Sequence, residues 1–213
     1  MKKRLLSILM ILCLAVSLVT PVVAVGEPTT EGGGDATQSD PIPGGTGNTT
    51  ETTAELTNEV NIISDSAENI TYNIGDGQAV MISGQQASAE EPITFTNCTF
   101  NLSGETVHIS GTQTDSDGNN ITHNSAAHTK MWIGGNVQFI DCLLIASDGG
   151  QSGGSGNDAA VYFYDGNISL QMCTVKGNSW NGQFLGFYGR QNDTNEAVTF
   201  TDSIISTEGN QNG

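Results

Sequence analysis

The side chains best suited to chemistry are concentrated in one polar segment, residues 111–128. Within it Asp115, Asp117 and Asn119 alternate along the chain, as oxygen ligands do at the start of a calcium loop. The segment lacks a third acid before Gly118 and the distal glutamate of such loops. The sequence therefore leaves two interpretations, a structural calcium site and a polar turn. It predicts no other cofactor.

Three histidines lie in or beside this segment, and they raise the question of a transition-metal site. His123 and His128 are five residues apart, whereas metal-binding pairs on a helix prefer a spacing of four. His108 is near in sequence, but no thiolate or glutamate completes a ligand set. The pattern favours histidines that hydrogen-bond locally over a metal site.

Aromatic side chains offer a different kind of site, because a flat ring can stack on a sugar ring. Alternation along a short strand directs Val161 and Phe163 inward and Tyr162 and Tyr164 outward. We therefore predict an outward platform that binds glycans; the alternative is that these rings cover the sheet beneath a loop. The predicted platform residues are Trp132, Tyr162, Tyr164, Trp180 and Tyr188.

Four segments of similar sequence provide the elements that would position these side chains. They are residues 93–100, 137–144, 168–175 and 198–205. Such self-similarity is typical of stacked units that bury their apolar faces against one another. Each copy alternates as two short strands with a sharp corner between them. Three copies have an acid or amide at this corner, where left-handed backbone is tolerated, and one has methionine: Asn97, Asp141, Met172 and Asp202.

One column of the alignment contains three cysteines and a serine, at spacings of 44, 31 and 30 residues: Cys98, Cys142, Cys173 and Ser203. The column predicts buried thiols, because free cysteine behaves as a small hydrophobe. A bridge between neighbouring coils, a redox role and metal binding are the alternatives. The longest spacing predicts that residues 111–128 are an insertion, and insertions in repeat proteins often lie on the binding face.

A second type of strand lies between the repeats, at residues 106–109, 130–133, 160–164 and 184–188. Coils of about 30 residues, in-register apolar columns and an Asn/Asp corner resemble the right-handed parallel β-helix of the pectate-lyase-like superfamily. The resemblance implies an all-β solenoid of about four coils over residues 56–213. The long acidic tether at residues 25–55, which follows a predicted signal peptide, also resembles that of adhesin-like secreted or surface β-helix proteins of gut prokaryotes.

The same superfamily includes polysaccharide lyases and glycoside hydrolases, which need paired carboxylates or calcium with a basic group. Arg190 is the only arginine after residue 24, and Lys130 and Lys176 are poor substitutes for it. The motifs by which lyases and polygalacturonases of this fold are recognised are absent. We therefore predict no catalytic residues and a non-enzymatic binding module, with a lyase or hydrolase as the alternative.

Both ends of the chain differ from the repeats. Residues 1–24 have a basic start, a 15-residue apolar run (Leu5–Val19) and small residues before a cleavage point, as signal peptides do. Residues 25–55 are rich in Gly, Thr, Pro and acid, which predicts a disordered linker. Residues 206–213 are polar and do not resemble a cap, so we expect the domain to continue in a longer protein.

The charge of the chain restricts its partners. The net charge is −17, and only three basic residues remain against 23 acidic ones after the predicted signal peptide is removed. Such a chain repels phosphate backbones and anionic lipid surfaces, so we expect neither nucleic acid nor membrane insertion after cleavage. The expected location is outside the cell or on its surface, and the expected partner is a polysaccharide or a cell-surface glycan.

Overall fold

Short alternating segments, bounded by Gly, Asn and Asp, make the described part of the chain all-β. The computed structural model describes residues 52–124, 127–150, 159–178, 182–188 and 197–208. The predicted signal peptide and almost all of the predicted linker lie outside these residues. Where the chain is described, no helix is long and apolar enough to span a membrane.

In chain order the strands are β1 (Thr52–Ala54), β2 (Val60–Ile63), β3 (Ala67–Glu68), β4 (Ile70–Ile74), β5 (Ala79–Gly84), β6 (Ile93–Thr96), β7 (Thr99–Ser103), β8 (Val107–His108), β9 (Gln113–Thr114), β10 (Asn120–Ile121), β11 (His128–Gly135), β12 (Val137–Ile140), β13 (Leu143–Ser147), β14 (Ala159–Phe163), β15 (Asn167–Gln171), β16 (Thr174–Asn178), β17 (Leu185–Phe187), β18 (Ala197–Thr201) and β19 (Ile204–Glu208).

Most of these strands belong to three parallel sheets, and the chain visits the sheets in rotation. Sheet A contains β1, β4, β7, β13, β16 and β19. Sheet B contains β2, β5, β11, β14 and β17, and sheet C contains β3, β6, β12, β15 and β18. We call one pass through A, B and C a round. Within each sheet, a strand pairs with its equivalents in the preceding and following rounds.

The alignment of the four repeated segments is confirmed by the pairing of the strands. In sheet C, Val137 pairs with Ile93 on one side and with Ile168 on the other, and Ile168 pairs with Val198. Sheet A continues the same register through β7, β13, β16 and β19. Equivalent apolar residues are therefore stacked into columns, which is how sequence repetition becomes a continuous core.

The corner between sheets C and A follows the prediction and includes its exception. Left-handed backbone occurs at Asn97 (φ 50°), Asp141 (φ 53°) and Asp202 (φ 50°), and also at Asn69 (φ 57°) in the preceding round. Met172 adopts the same conformation, with φ of 55°, although its side chain gives it no local hydrogen bond there. The geometry of the stack thus overrides the preference of the residue.

The inner core lies between the three sheets and is apolar and rich in aromatic rings. The rings of Phe95 and Phe139 stack with centroids 5.3 Å apart, and those of Tyr72 and Phe100 stack at 4.7 Å. Burial beside the cysteine column raises the pKa of Tyr72 to about 12. The predicted inward direction of Val161 and Phe163 is confirmed, since both belong to this core.

One predicted element is placed differently. The segment 106–109 is not the sheet B strand of its round, because Val107 and His108 pair antiparallel with Thr129 and His128 of β11. The parallel neighbour of β11 is instead β5. Alternation predicted a strand correctly, but alternation carries no information about strand direction. The inserted segment therefore starts directly after β7, at Gly104, where φ is +76°.

Candidate functional site

The predicted aromatic residues that the structure describes lie on the outer face of sheet B, away from the inner core. Trp132 pairs with Met81 in β5 and with Tyr162 in β14, so these side chains form one outward column. Apolar residues of the inserted segment pack onto that face. Together they form what we call the outer cluster: Met81, Ile109, Ile121, Ala127, Trp132, Ala159, Tyr162 and Tyr164.

The prediction of a solvent-facing platform is wrong for three of its residues. Trp132 is 0% exposed, Tyr162 is 3% and Tyr164 is 7%. Their outward direction was predicted correctly, but the inserted segment covers them. Burial raises the pKa of the Tyr162 hydroxyl. A hydrogen bond with the Asn124 side chain opposes this rise in the pKa but does not cancel it. These rings are therefore closed to a ligand in this conformation.

Two glycines of sheet B leave room for the covered rings, because a glycine has no side chain. A Cβ atom at Gly134 would lie 2.4 Å from a carbon of the Trp132 ring. A Cβ atom at Gly186 would lie 2.7 Å from the Tyr162 ring. The large side chains on the outer face thus alternate with positions that have none, and this packing fixes the orientation of the rings.

The outer aromatic column becomes accessible at its far end. Trp132 and Tyr164 have ring centroids 5.3 Å apart, and Tyr164 stacks on Tyr188 at 4.9 Å with the planes 7° apart. Tyr188 is 41% exposed, and the neighbouring Phe187 is 57% exposed while stacking on Phe163 at 5.1 Å. Two pairs of stacked rings thus run from buried positions to the surface.

These exposed rings line a cleft of about 300 Å³ between the ends of sheets B and C. Asp165 is the one carboxylate among the described residues that line it, and none of these residues is basic. We call this the aromatic cleft, lined by Phe163, Tyr164, Asp165, Gly166, Ile168, Phe187, Tyr188, Ala197 and Val198. Trp180 and Arg190 lie outside the described residues.

The inserted segment is held to sheet B by its buried apolar side chains, by the pairing of β8 with β11, and by polar contacts at its margins. Gln85 donates from Nε2 to the Thr122 carbonyl at 2.5 Å and accepts from the Thr122 N–H at 2.9 Å. Ser64 and Ser116 share a hydroxyl hydrogen bond of 3.1 Å. Close to β11, the N–H of Ile109 donates to the Ala127 carbonyl at 3.1 Å.

In the acidic loop of the inserted segment, the carboxylate of Asp115 accepts hydrogen bonds from the loop itself. Asp115 Oδ1 accepts from the N–H groups of Asp117 and Asn119 at 3.0 and 2.8 Å, and its Oδ2 accepts from Asn119 Nδ2 at 2.9 Å. The hydrogen bond from the Asn119 side chain is the main reason that the pKa of Asp115 is lowered. Within the described ranges, no group of three or more metal-ligating side chains is suited to hold an ion. Calcium binding stays a prediction.

The structure brings two of the three histidines together. His108 and His128 are opposite one another across the antiparallel pair, and their rings stack with centroids 4.5 Å apart. His123 is separate, and one of its ring nitrogens, Nε2, lies 3.0 Å from the Gly111 carbonyl. The lone pairs of the ring nitrogens lie in the planes of the rings, so two stacked rings do not direct them at one shared metal ion. This pair is therefore not arranged as a chelate.

The cysteine column is a stack of buried free thiols, as predicted. Cys98, Cys142 and Cys173 are all free and buried. Hydrogen bonds that the Cys142 thiol donates to Cys173 and Cys98, together with burial, raise the pKa of Cys142. In the next round Ser203 takes the position, donating to the Leu170 carbonyl at 3.1 Å and accepting from the Cys173 N–H at 3.0 Å.

One of the scarce basic groups is unavailable at the surface. Lys130 is 0% exposed, and its Nζ donates to the Gly75 carbonyl at 2.6 Å. Burial lowers the pKa of Lys130 to about 8, although Asp76 acts in the opposite direction. A lysine held in this way serves the packing of β11 and does not face the aromatic cleft.

No protein-family model, no curated protein and no solved structure matches this chain.

Proposed function

We propose that the chain is a right-handed parallel β-helix of about four coils, of the kind found in the pectate-lyase-like superfamily. Three parallel sheets visited in rotation support this, together with the in-register columns of sheets A and C. Rounds spaced by 30 and 31 residues at the cysteine column support it as well. In such a solenoid each round stabilises its neighbours, and segments inserted between strands project from its surface.

We infer that the protein is a secreted or cell-surface glycan-binding module without enzymatic activity, similar in role to adhesin-like surface proteins. The observation that carries this is the aromatic cleft, where the exposed rings of Phe187 and Tyr188 are held by stacking on buried rings. Rigid, partly exposed aromatic faces beside hydrogen-bonding groups suit the apolar face and the hydroxyls of a sugar.

The charge of the chain selects among glycans. The net charge of −17 and the carboxylate of Asp165 repel uronic and sialic acids. A neutral polysaccharide meets no such repulsion. The same charge underlies the proposal that neither nucleic acid nor an anionic membrane is a partner.

The test is isothermal titration of the protein with neutral hexasaccharides, cellohexaose and mannohexaose, and with polygalacturonate. We expect a neutral sugar to bind, and we expect Tyr188→Ala to weaken binding at least about fivefold, taking as a guide the roughly 1–3 kcal/mol that an aromatic side chain contributes when it stacks on a nucleotide base. Ile204→Ala is the matched control, since Ile204 is an exposed apolar residue (61%) of the same end of the molecule outside the cleft.

Two results would decide against the proposal. Failure of every neutral sugar to bind would remove the glycan-binding function. Cleavage of polygalacturonate, seen as unsaturated products or new reducing ends, would instead establish the lyase or hydrolase alternative.

A further inference from the structure

The outer cluster contains a hydrogen-bond donor that has no partner in the part of the chain that the structure describes. Trp132 Nε1 is buried, and no acceptor for it exists among the described residues. On the inserted segment, His123 Nδ1 is likewise buried without a partner there. A buried polar atom without a partner costs free energy, so natural structures contain few of them and each calls for an explanation.

The unused donor belongs to the same aromatic column as the cleft. Trp132 contacts Tyr164, and Tyr164 stacks on Tyr188, whose exposed ring lines the cleft. A sugar chain bound at Tyr188 and extended along this column would meet Tyr164 next and Trp132 after it. Among the described residues, the inserted segment stands in the way of that contact, since Ile109 and Ile121 pack in the same cluster as these rings.

One margin of this cover is attached weakly, whereas its start is anchored by the pairing of β8 with β11 and its apolar side chains are buried. The weak margin is held by the Gln85–Thr122 pair and the Ser64–Ser116 contact, both of which are exposed to solvent. Exposed hydrogen bonds exchange readily for bonds to water, so breaking them costs little. By contrast, β11 is paired on both sides within sheet B and cannot separate without loss of the core.

Resting on the proposed function, we propose that the glycan site continues beneath segment 104–124. When a neutral oligosaccharide displaces this segment, the rings of Tyr164 and Trp132 become stacking surfaces, and Trp132 Nε1 donates to a sugar oxygen. The hydroxyl of Tyr162 is the second polar group of this covered subsite. Displacement satisfies the buried donor, which offsets part of the cost of opening.

The experiment uses the full chain with Trp180→Phe, so that Trp132 is the only tryptophan. Cellohexaose and mannohexaose are titrated while fluorescence and its quenching by acrylamide are recorded. We expect Gln85→Ala, which removes both bonds to Thr122, to bind about fivefold more tightly, because a larger fraction of the molecules is open. Gln138→Ala, on sheet C, is the matched control and should leave binding unchanged.

The role of the donor is tested by Trp132→Phe, which keeps a ring but removes the N–H group. We expect this variant to lose the gain given by Gln85→Ala when the two are combined. Should the variant fail to fold, hydrogen exchange of wild-type peptides from residues 104–124 tests whether sugar displaces the segment. Added sugar should accelerate their exchange.

The outcomes separate this inference from the proposed function. If the sugar binds and Tyr188→Ala weakens it, but Gln85→Ala and the fluorescence of Trp132 are unchanged, the covered subsite is wrong and the cleft stands. Unchanged or slower exchange of residues 104–124 overturns it as well. If no sugar binds to any variant, both proposals fall.

Discussion

The two faces of sheet B are formed by the same strands but are buried in different ways. The inner face, with Ile82, Ile133 and Phe163, packs against the other two sheets in columns that repeat from round to round. The outer face, with Met81, Trp132 and Tyr162, is covered by one segment that occurs once. The indole N–H of Trp132, on the outer face, has no partner among the described residues. Repetition produces a closed core, whereas the burial of the outer face depends on a single cover.

The sharpest test of this difference uses two neighbouring residues, Ile82 and Met81, which are both 0% exposed but point to opposite faces. We expect Ile82→Ala to lower the free energy of unfolding by about 4 kcal/mol, because rounds on both sides hold the cavity open. Met81→Ala should cost about 2 kcal/mol, since the inserted segment can settle into the space. Urea denaturation of both variants gives the comparison. Equal costs would contradict the distinction between a fixed face and an adjustable one.

We expect an effect of intermediate size on the pH dependence of stability from Lys130, whose side chain is buried and donates to the Gly75 carbonyl. Its folded pKa of about 8 is below the ordinary 10.5, so the unfolded chain binds the proton more tightly. Stability should therefore rise as the pH increases above about 8 and level off near 10.5. Denaturation midpoints between pH 7 and about 9.5, below the ordinary range of tyrosine, should show this rise.

Lys130→Met is the control for that measurement, because methionine fills a similar volume without a titratable group. Its stability should rise less over the same pH range, because only the thiols of Cys98 and Cys173, whose pKa values are lowered to about 7, still contribute. A rise of equal size in the variant would show that another group is responsible.

The smallest expected effect concerns the repeated corner, where Met172 departs from its column. We expect Met172→Asn to raise the free energy of unfolding by about 1 kcal/mol, because asparagine tolerates the left-handed backbone that methionine resists. Thermal denaturation measures the gain, and Asn97→Met should show a loss of similar size. If both substitutions are neutral, the corner is set wholly by its neighbours.

The sequence predicts the repeated parts of the molecule well and the unique parts poorly. The columns of sheets A and C and the corner at Asn97 recur, so comparing copies reveals them. The cover over Trp132 has no second copy to compare with, and its apolar members Ile109 and Ile121 look isolated in a polar stretch. Apolar residues at such positions were the available signal that the segment packs against something.

Site residues follow the same rule. Alternation correctly directs Tyr162 outward, because strand periodicity is local. Whether an outward residue meets solvent depends on a segment that returns antiparallel to β11, and no local pattern specifies that. Phe187 was not predicted as a site residue, since its exposure reflects its place at the end of sheet B and not its own neighbours in sequence.

The stack of buried thiols can report the rate at which each round opens. Cys98, Cys142 and Cys173 lie in three successive rounds and are buried, so an alkylating reagent reaches each one only when its own round opens. Mass spectrometry of the labelled peptides would then give three opening rates from one chain without substitutions. Their order would show from which side the rounds come apart, and whether a bound sugar slows one round or all of them.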